Sequence, residues 1–131
     1  MSDIRRVLIV DDNHDSAELL SVLLEREGHE TRVAYDGPRA LLVAAQFRPN
    51  IAFLDIGLPG MDGYELMSAL REQPESSGCR FVAVTGYEEL RPGREGAATF
   101  DAHLVKPIDL DEVVRLVVEI ADSGLTRQFS A

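Results

Sequence analysis

Residues 51–55 read Ile51-Ala52-Phe53-Leu54-Asp55, four apolar side chains closed by an acid. The run lacks the alternation of a strand with one wet face. Both of its faces are therefore covered, as in a parallel sheet. A carboxylate at the end of such a run is costly unless it is used. Working outward, the pattern recurs. Val7-Leu8-Ile9-Val10 runs into Asp11-Asp12, Phe81-Val82-Ala83-Val84 into Thr85-Gly86, and His103-Leu104-Val105 into Lys106-Pro107. Residues 30–35 alternate more and predict a strand nearer a sheet edge.

Helical spacing fills the intervals. Leu19, Leu20, Val22, Leu23 and Leu24 predict a first helix with a buried Leu/Val stripe, capped by Asp15 or Ser16 and stopped by Gly28. Asp36-Gly37-Pro38 is a turn that places Pro38 in the first turn of a helix carrying Ala40, Leu41, Ala44 and Ala45, ended before Pro49. Residues 64–71 predict a third helix, ended near Pro74, and residues 87–100 a fourth that Pro92, Gly93 and Gly96 make irregular. A final helix spans about 109–121. Asp109, Asp111 and Glu112 suit the positive end of its dipole, and Val113, Leu116, Val117 and Ile120 form its buried stripe. Five strands alternating with five helices predict an α/β fold, a doubly wound parallel sheet with helices on both faces. The expected domain is 5–121, with 122–131 a loose tail or linker.

The chain has 131 residues, enough for one domain with a real core, and 45% of them are hydrophobic. Its net charge of −10 repels phosphate backbones and argues against direct nucleic-acid binding. No apolar run approaches a membrane span, so no membrane insertion is expected. The lone Cys79 forms no internal disulfide, is expected to be inert, and fits a reducing cytoplasm.

In an open parallel sheet, functional groups gather past the C-terminal ends of the strands. Those ends carry Asp11, Asp12, Asp55, Thr85 and Lys106. Three neighbouring carboxylates repel one another, and a cation keeps all three ionised at neutral pH. Oxygen-only ligands favour Mg²⁺ or Ca²⁺, and a small site that keeps waters for a phosphate favours Mg²⁺. Charge then suggests the roles. Asp55 is a nucleophile able to form an acyl phosphate, Lys106 supplies positive charge, and Thr85 offers a hydroxyl to a phosphoryl oxygen. Taken singly, each motif has a plainer reading: Asp11-Asp12 as a turn, Lys106-Pro107 as a strand exit, Asp62-Gly63 as a helix entry, His14 as a solvated loop residue and His29 as a surface residue.

Asp11-Asp12, Asp55 with Leu58-Pro59-Gly60-Met61-Asp62-Gly63, Thr85-Gly86 and Lys106-Pro107 together resemble the receiver domain of bacterial two-component response regulators, in order and in spacing. The likeness covers about 6–121 and is nearest to receivers attached to hybrid sensor kinases. It implies a flavodoxin-like fold with strand order 2-1-3-4-5. It implies Mg²⁺ held by Asp12, Asp55 and the backbone carbonyl of Gly57, with Asp11 acting largely through water, and a cis Lys106–Pro107 peptide. The function implied is that of a phosphoacceptor signalling switch, not an enzyme. Asp55 would take its phosphoryl group from a sensor histidine kinase or a histidine phosphotransfer protein. Output would pass through the face formed by helix four, strand five and helix five, and a phosphorylation-linked homodimer is a further implication.

The sequence departs from the pattern in places. His103 stands where receivers usually have a rotating Tyr or Phe, which implies weaker or pH-sensitive coupling from Thr85. Gly57 and Tyr87, each two residues past a site residue, imply a fairly long-lived phosphorylated state. Two other readings compete: a degenerate receiver serving as a binding module, and an aspartyl phosphatase, which would want a second acid where Gly57 stands. Kinase, stimulus and output stay open, as does whether the unit stands alone or belongs to a longer chain.

Overall fold

Each apolar run becomes a strand. The computed structural model describes residues 4–86 and 100–130, with 121–130 described as helical backbone. Its elements are β1 (Arg6–Val10), α1 (His14–Arg26), β2 (Glu30–Ala34), α2 (Gly37–Phe47), β3 (Ile51–Asp55), α3 (Gly63–Glu72), a short 3-10 helix (Pro74–Ser76), β4 (Arg80–Thr85), β5 (Ala102–Val105) and α4 (Leu110–Ser130). All strand pairs are parallel, in the order β2-β1-β3-β4-β5. The more alternating β2 is an edge strand, as its pattern predicts. The irregular helix expected over 87–100 falls outside the described residues, apart from Phe100.

Both faces of the sheet are covered, which explains the unbroken apolar runs. Along β1, Leu8 and Val10 pack with α2 and α3 through Ala40, Ala44, Leu66, Met67 and Leu70. Val7 and Ile9 point the other way, to Ala17, Leu20 and Leu24 of α1 and to Val113, Val117 and Ile120 of α4. All five residues of β3 are buried.

Helix ends follow capping chemistry, with two differences from the sequence reading. Asn13, not Asp15 or Ser16, caps α1: its backbone is extended and its side chain accepts from the Ser16 amide at 3.0 Å. Asp15 and Ser16 lie inside the first turn, where their side chains come too late to serve as the cap. Gly28, at φ +96°, follows the end of α1 as expected. Asp36 caps α2 through the Arg39 amide, and Asp62 and Glu65 form a reciprocal capping box on α3. At the other end of the chain, α4 continues to Ser130, beyond the end expected at Ala121. After Pro107 no proline interrupts the chain, and Gly124 is the only glycine, at about 1 kcal/mol, so local chemistry does not enforce a stop.

His29 is also placed differently. It is buried rather than on the surface, and its Nδ1 accepts from the Arg5 amide at 3.0 Å. The sequence reading missed this because the partner lies 24 residues away.

Candidate functional site

Strand order reverses between β1 and β3, and this is where an open α/β sheet forms a crevice beyond its strand ends. The register brings the polar strand ends together there. Val10 lies beside Leu54, so Asp11 and Asp55 follow level with one another. Asp55 lies beside Val84, and Thr85 beside Val105, so Thr85 and Lys106 step away in order.

Asp11 and Asp55 are 8% and 5% exposed, whereas Asp12 is exposed. Carboxylate oxygens of the three lie within 4.8 Å of one another. Each buried acid is held by the loop that follows it. The Asp11 carboxylate accepts from the Asn13 amide at 2.9 Å, and Asp55 Oδ1 from the Gly57 amide at 3.0 Å. Asp55 Oδ2 lies 3.4 Å from Lys106 Nζ, and the Lys106–Pro107 peptide is cis. Burial pushes the Asp11 carboxyl up to about 6. The Asn13 amide pulls it down, the Asp55 charge adds to the rise, and Lys106 opposes it. A group of oxygen donors this crowded with negative charge fits a hard divalent cation, which would hold all three acids ionised.

Thr85 is 1% exposed, and its hydroxyl donates to the Gly86 carbonyl at 3.0 Å. His103 is not drawn into the cluster. It is exposed on β5 and meets the ring of Phe100 edge-on at 5.7 Å; Phe100 in turn meets Tyr64 at 5.6 Å. His14 is exposed and stacks on Tyr35 with ring centroids 3.7 Å apart. Burial pushes the Cys79 thiol up, in keeping with the inert role expected for it.

The sequence reading missed a groove. It assigned the whole Leu/Val run of α1 to the core, yet Leu19 is 58% and Val22 49% exposed. Five apolar residues within six positions are too many for a single stripe of about 100°. That excess was the available signal. Leu19 helps line a cavity of about 320 Å³, walled by Ser16 and Leu20 on one side and Pro107, Ile108 and Leu110 on the other, with Asp11 and Lys106 at its edge.

The response regulator receiver domain model matches residues 7–118, and the chain belongs to that family. It is a two-component receiver domain, a phosphoacceptor signalling module. Sporulation initiation phosphotransferase F of Bacillus subtilis is 36% identical over 112 residues, covering 82% of this chain and 86% of the relative. A CheY-like receiver domain protein from Methanospirillum hungatei superposes with a TM-score of 0.84 at 28% identity, covering 95% of this chain and 98% of its own. The receiver domain of a Pseudomonas aeruginosa sensor histidine kinase has a TM-score of 0.77 at 25% identity, covering 89% and 96%. Its structure has magnesium coordinated in the active site cleft.

Proposed function

We propose that Asp55 is the phosphoacceptor and that Asp11, Asp12, Asp55 and the Gly57 carbonyl hold Mg²⁺. The observation that carries this reading is the buried Asp55 carboxylate, set between two further carboxylates and the Lys106 ammonium. An Asp55 oxygen attacks the phosphorus of a partner's phosphohistidine. The new P–O bond forms as the N–P bond breaks, and the imidazole leaves with the electron pair. Bound Mg²⁺ would offset charge on the phosphoryl oxygens. Lys106, with Nζ 3.4 Å from Oδ2, supplies positive charge to the incoming phosphoryl group. Thr85 turns its hydroxyl from Gly86 to a phosphoryl oxygen and reports the event through His103 to the face of β5 and the neighbouring helices.

The donor is a sensor histidine kinase or a histidine phosphotransfer protein. Its apolar contact is the groove beside Leu19 and Ile108, whose lining includes Asp11 and Lys106 of the same site. The receiver unit is residues 5–121, and it acts as a switch rather than as an enzyme turning over a free substrate. Among the described residues no helix is long and apolar enough to cross a membrane. A cytoplasmic location belongs to the same proposal. Gly57 and Tyr87 give the phosphorylated form a lifetime well beyond seconds; loss within seconds in Mg²⁺ buffer would refute that point.

The test is intact mass after incubation with Mg²⁺ and a small phosphodonor, and with a phosphorylated histidine phosphotransfer domain. A gain of one phosphoryl group, abolished by Asp55→Asn and by metal chelation, is expected. Donor turnover without accumulation would indicate a phosphatase. No modification by either donor would indicate a binding module.

A further inference from the structure

The pole opposite the acidic crevice holds the reverse charge. Arg6 opens β1, Arg80 opens β4, and Arg48 and Asn50 lie between α2 and β3. The sheet binds these starts together: the Asn50 amide donates to the Arg6 carbonyl at 2.8 Å, and the Arg80 amide to the Asn50 carbonyl at 2.9 Å. With Arg5, Glu75, Gly78 and Cys79 they line a cavity of about 390 Å³, a size typical of small-ligand pockets. Four of its charged lining residues are arginines and one is an acid. The whole chain has the opposite balance, with 23 acidic residues against 13 lysines and arginines.

Part of this charge has structural work. Arg6 Nε donates to the Phe47 and Arg48 carbonyls at 3.1 and 2.8 Å, which closes the end of α2. Those bonds use Nε and fix the plane of the guanidinium rather than occupying its two terminal nitrogens. Arg80 lies 3.9 Å from Asp101, at the long limit of an ion pair, and its side chain is 34% exposed. Arg48 is exposed, with a left-handed backbone at φ +55°. Guanidinium groups recognise phosphate oxygens in pairs, and a concave site strengthens that attraction over a flat surface.

We propose that this pocket binds a small multivalent anion bearing phosphoryl groups, through Arg5, Arg6, Arg48 and Arg80. The site is remote from the acceptor in the fold and independent of its chemistry. An occupant would tie the starts of β1 and β4 to the end of α2, a second input to the domain besides phosphorylation.

The test is isothermal titration of the full chain in low salt with excess chelator, using inorganic pyrophosphate and, separately, ADP. Saturable sub-millimolar binding of pyrophosphate that weakens as salt rises is expected. The double variant Arg48→Asn/Arg80→Gln weakens it at least about tenfold. Asparagine tolerates the left-handed backbone at 48, and urea unfolding checks that the variant stays folded. Glu75→Gln, which removes the acid from the lining, tightens binding, a gain that a damaged fold would not produce. Equal affinity for ADP and pyrophosphate assigns recognition to the phosphoryl groups; tighter ADP binding adds a contact to the nucleoside. Lys106→Ala leaves binding unchanged. No saturable binding at millimolar pyrophosphate, indifference to both arginine and Glu75 substitutions, or loss in Lys106→Ala would each overturn the proposal.

Discussion

Asp11→Asn should change the sign of its effect on stability when metal is added. Asp11 is buried beside Asp55, and its carboxyl rises from an ordinary 3.8 to about 6. The folded, metal-free protein therefore holds this proton more tightly than the unfolded chain does. Its stability falls as pH rises from about 4 to about 6 and is level, for this group, above that. Two pKa units correspond to about 3 kcal/mol. Solvent reaches the cluster through exposed Asp12 and the 41%-exposed Lys106 side chain, which cuts the figure to about 1–2 kcal/mol. Asparagine removes the charge and keeps an oxygen for the Asn13 amide. In chelator at neutral pH the variant is then the more stable protein, with a melting temperature higher by about 3–10 °C. Saturating Mg²⁺ reverses the order, since a ligand at 100 times its Kd adds about 2.7 kcal/mol and the wild type gains more of it. Calorimetry with and without Mg²⁺ reads both arms. A variant less stable in chelator, or equal stabilisation of both proteins by Mg²⁺, would refute the reasoning.

Other substitutions probe the scaffold under the site. Gly63→Ala places a β-carbon 2.7 Å from Ile56 Cδ1, 2.9 Å from Ile56 Cα and 3.0 Å from the Asp55 carbonyl. It should cost about 1–3 kcal/mol and slow phosphorylation, whereas Gly78→Ala, with nothing within 4 Å, leaves the phosphorylation rate alone. Asp62→Ala breaks the capping box and lowers stability by about 1 kcal/mol, read as a fall in urea midpoint at constant slope. His103→Phe strengthens the edge-on contact with Phe100, stabilising the fold by about 0.5 kcal/mol and widening the affinity gap between phosphorylated and unphosphorylated forms for an output partner. An unchanged gap would remove His103 from the switch.

Periodicity made the strands legible because burial on both sides leaves no alternation to misread. The acidic cluster was legible for a related reason, since Asp11 and Asp55 close runs that are otherwise wholly apolar. What escaped the sequence depends on distance and direction. Buried His29 accepts from the Arg5 amide, a partner that local pattern does not announce. Leu19 and Val22 belong to the same apolar run as Leu20 and Leu24, and only the helix's orientation on the sheet decides which pair meets water. The arginines of the opposite pole come from three separate stretches of the chain, the start of β1, the end of α2 and the start of β4, so no short motif unites them. The cap of α1 was misplaced by two or three residues because Asn13, Asp15 and Ser16 are all good capping residues, and backbone conformation chooses among them.

The five-residue β1 is written for two audiences. Val7 and Ile9 belong to the packing around α1 and α4, Leu8 and Val10 to the packing around α2 and α3. The helices of the two layers lie on opposite faces of the sheet, and substitutions more than about 7–10 Å apart with no shared partners usually act independently. Drift on one side is thus insulated from the other. A lineage can rework the α1 groove toward a new partner, accepting and compensating changes there, while the packing beneath α2 and α3 goes on tolerating the same residues as before.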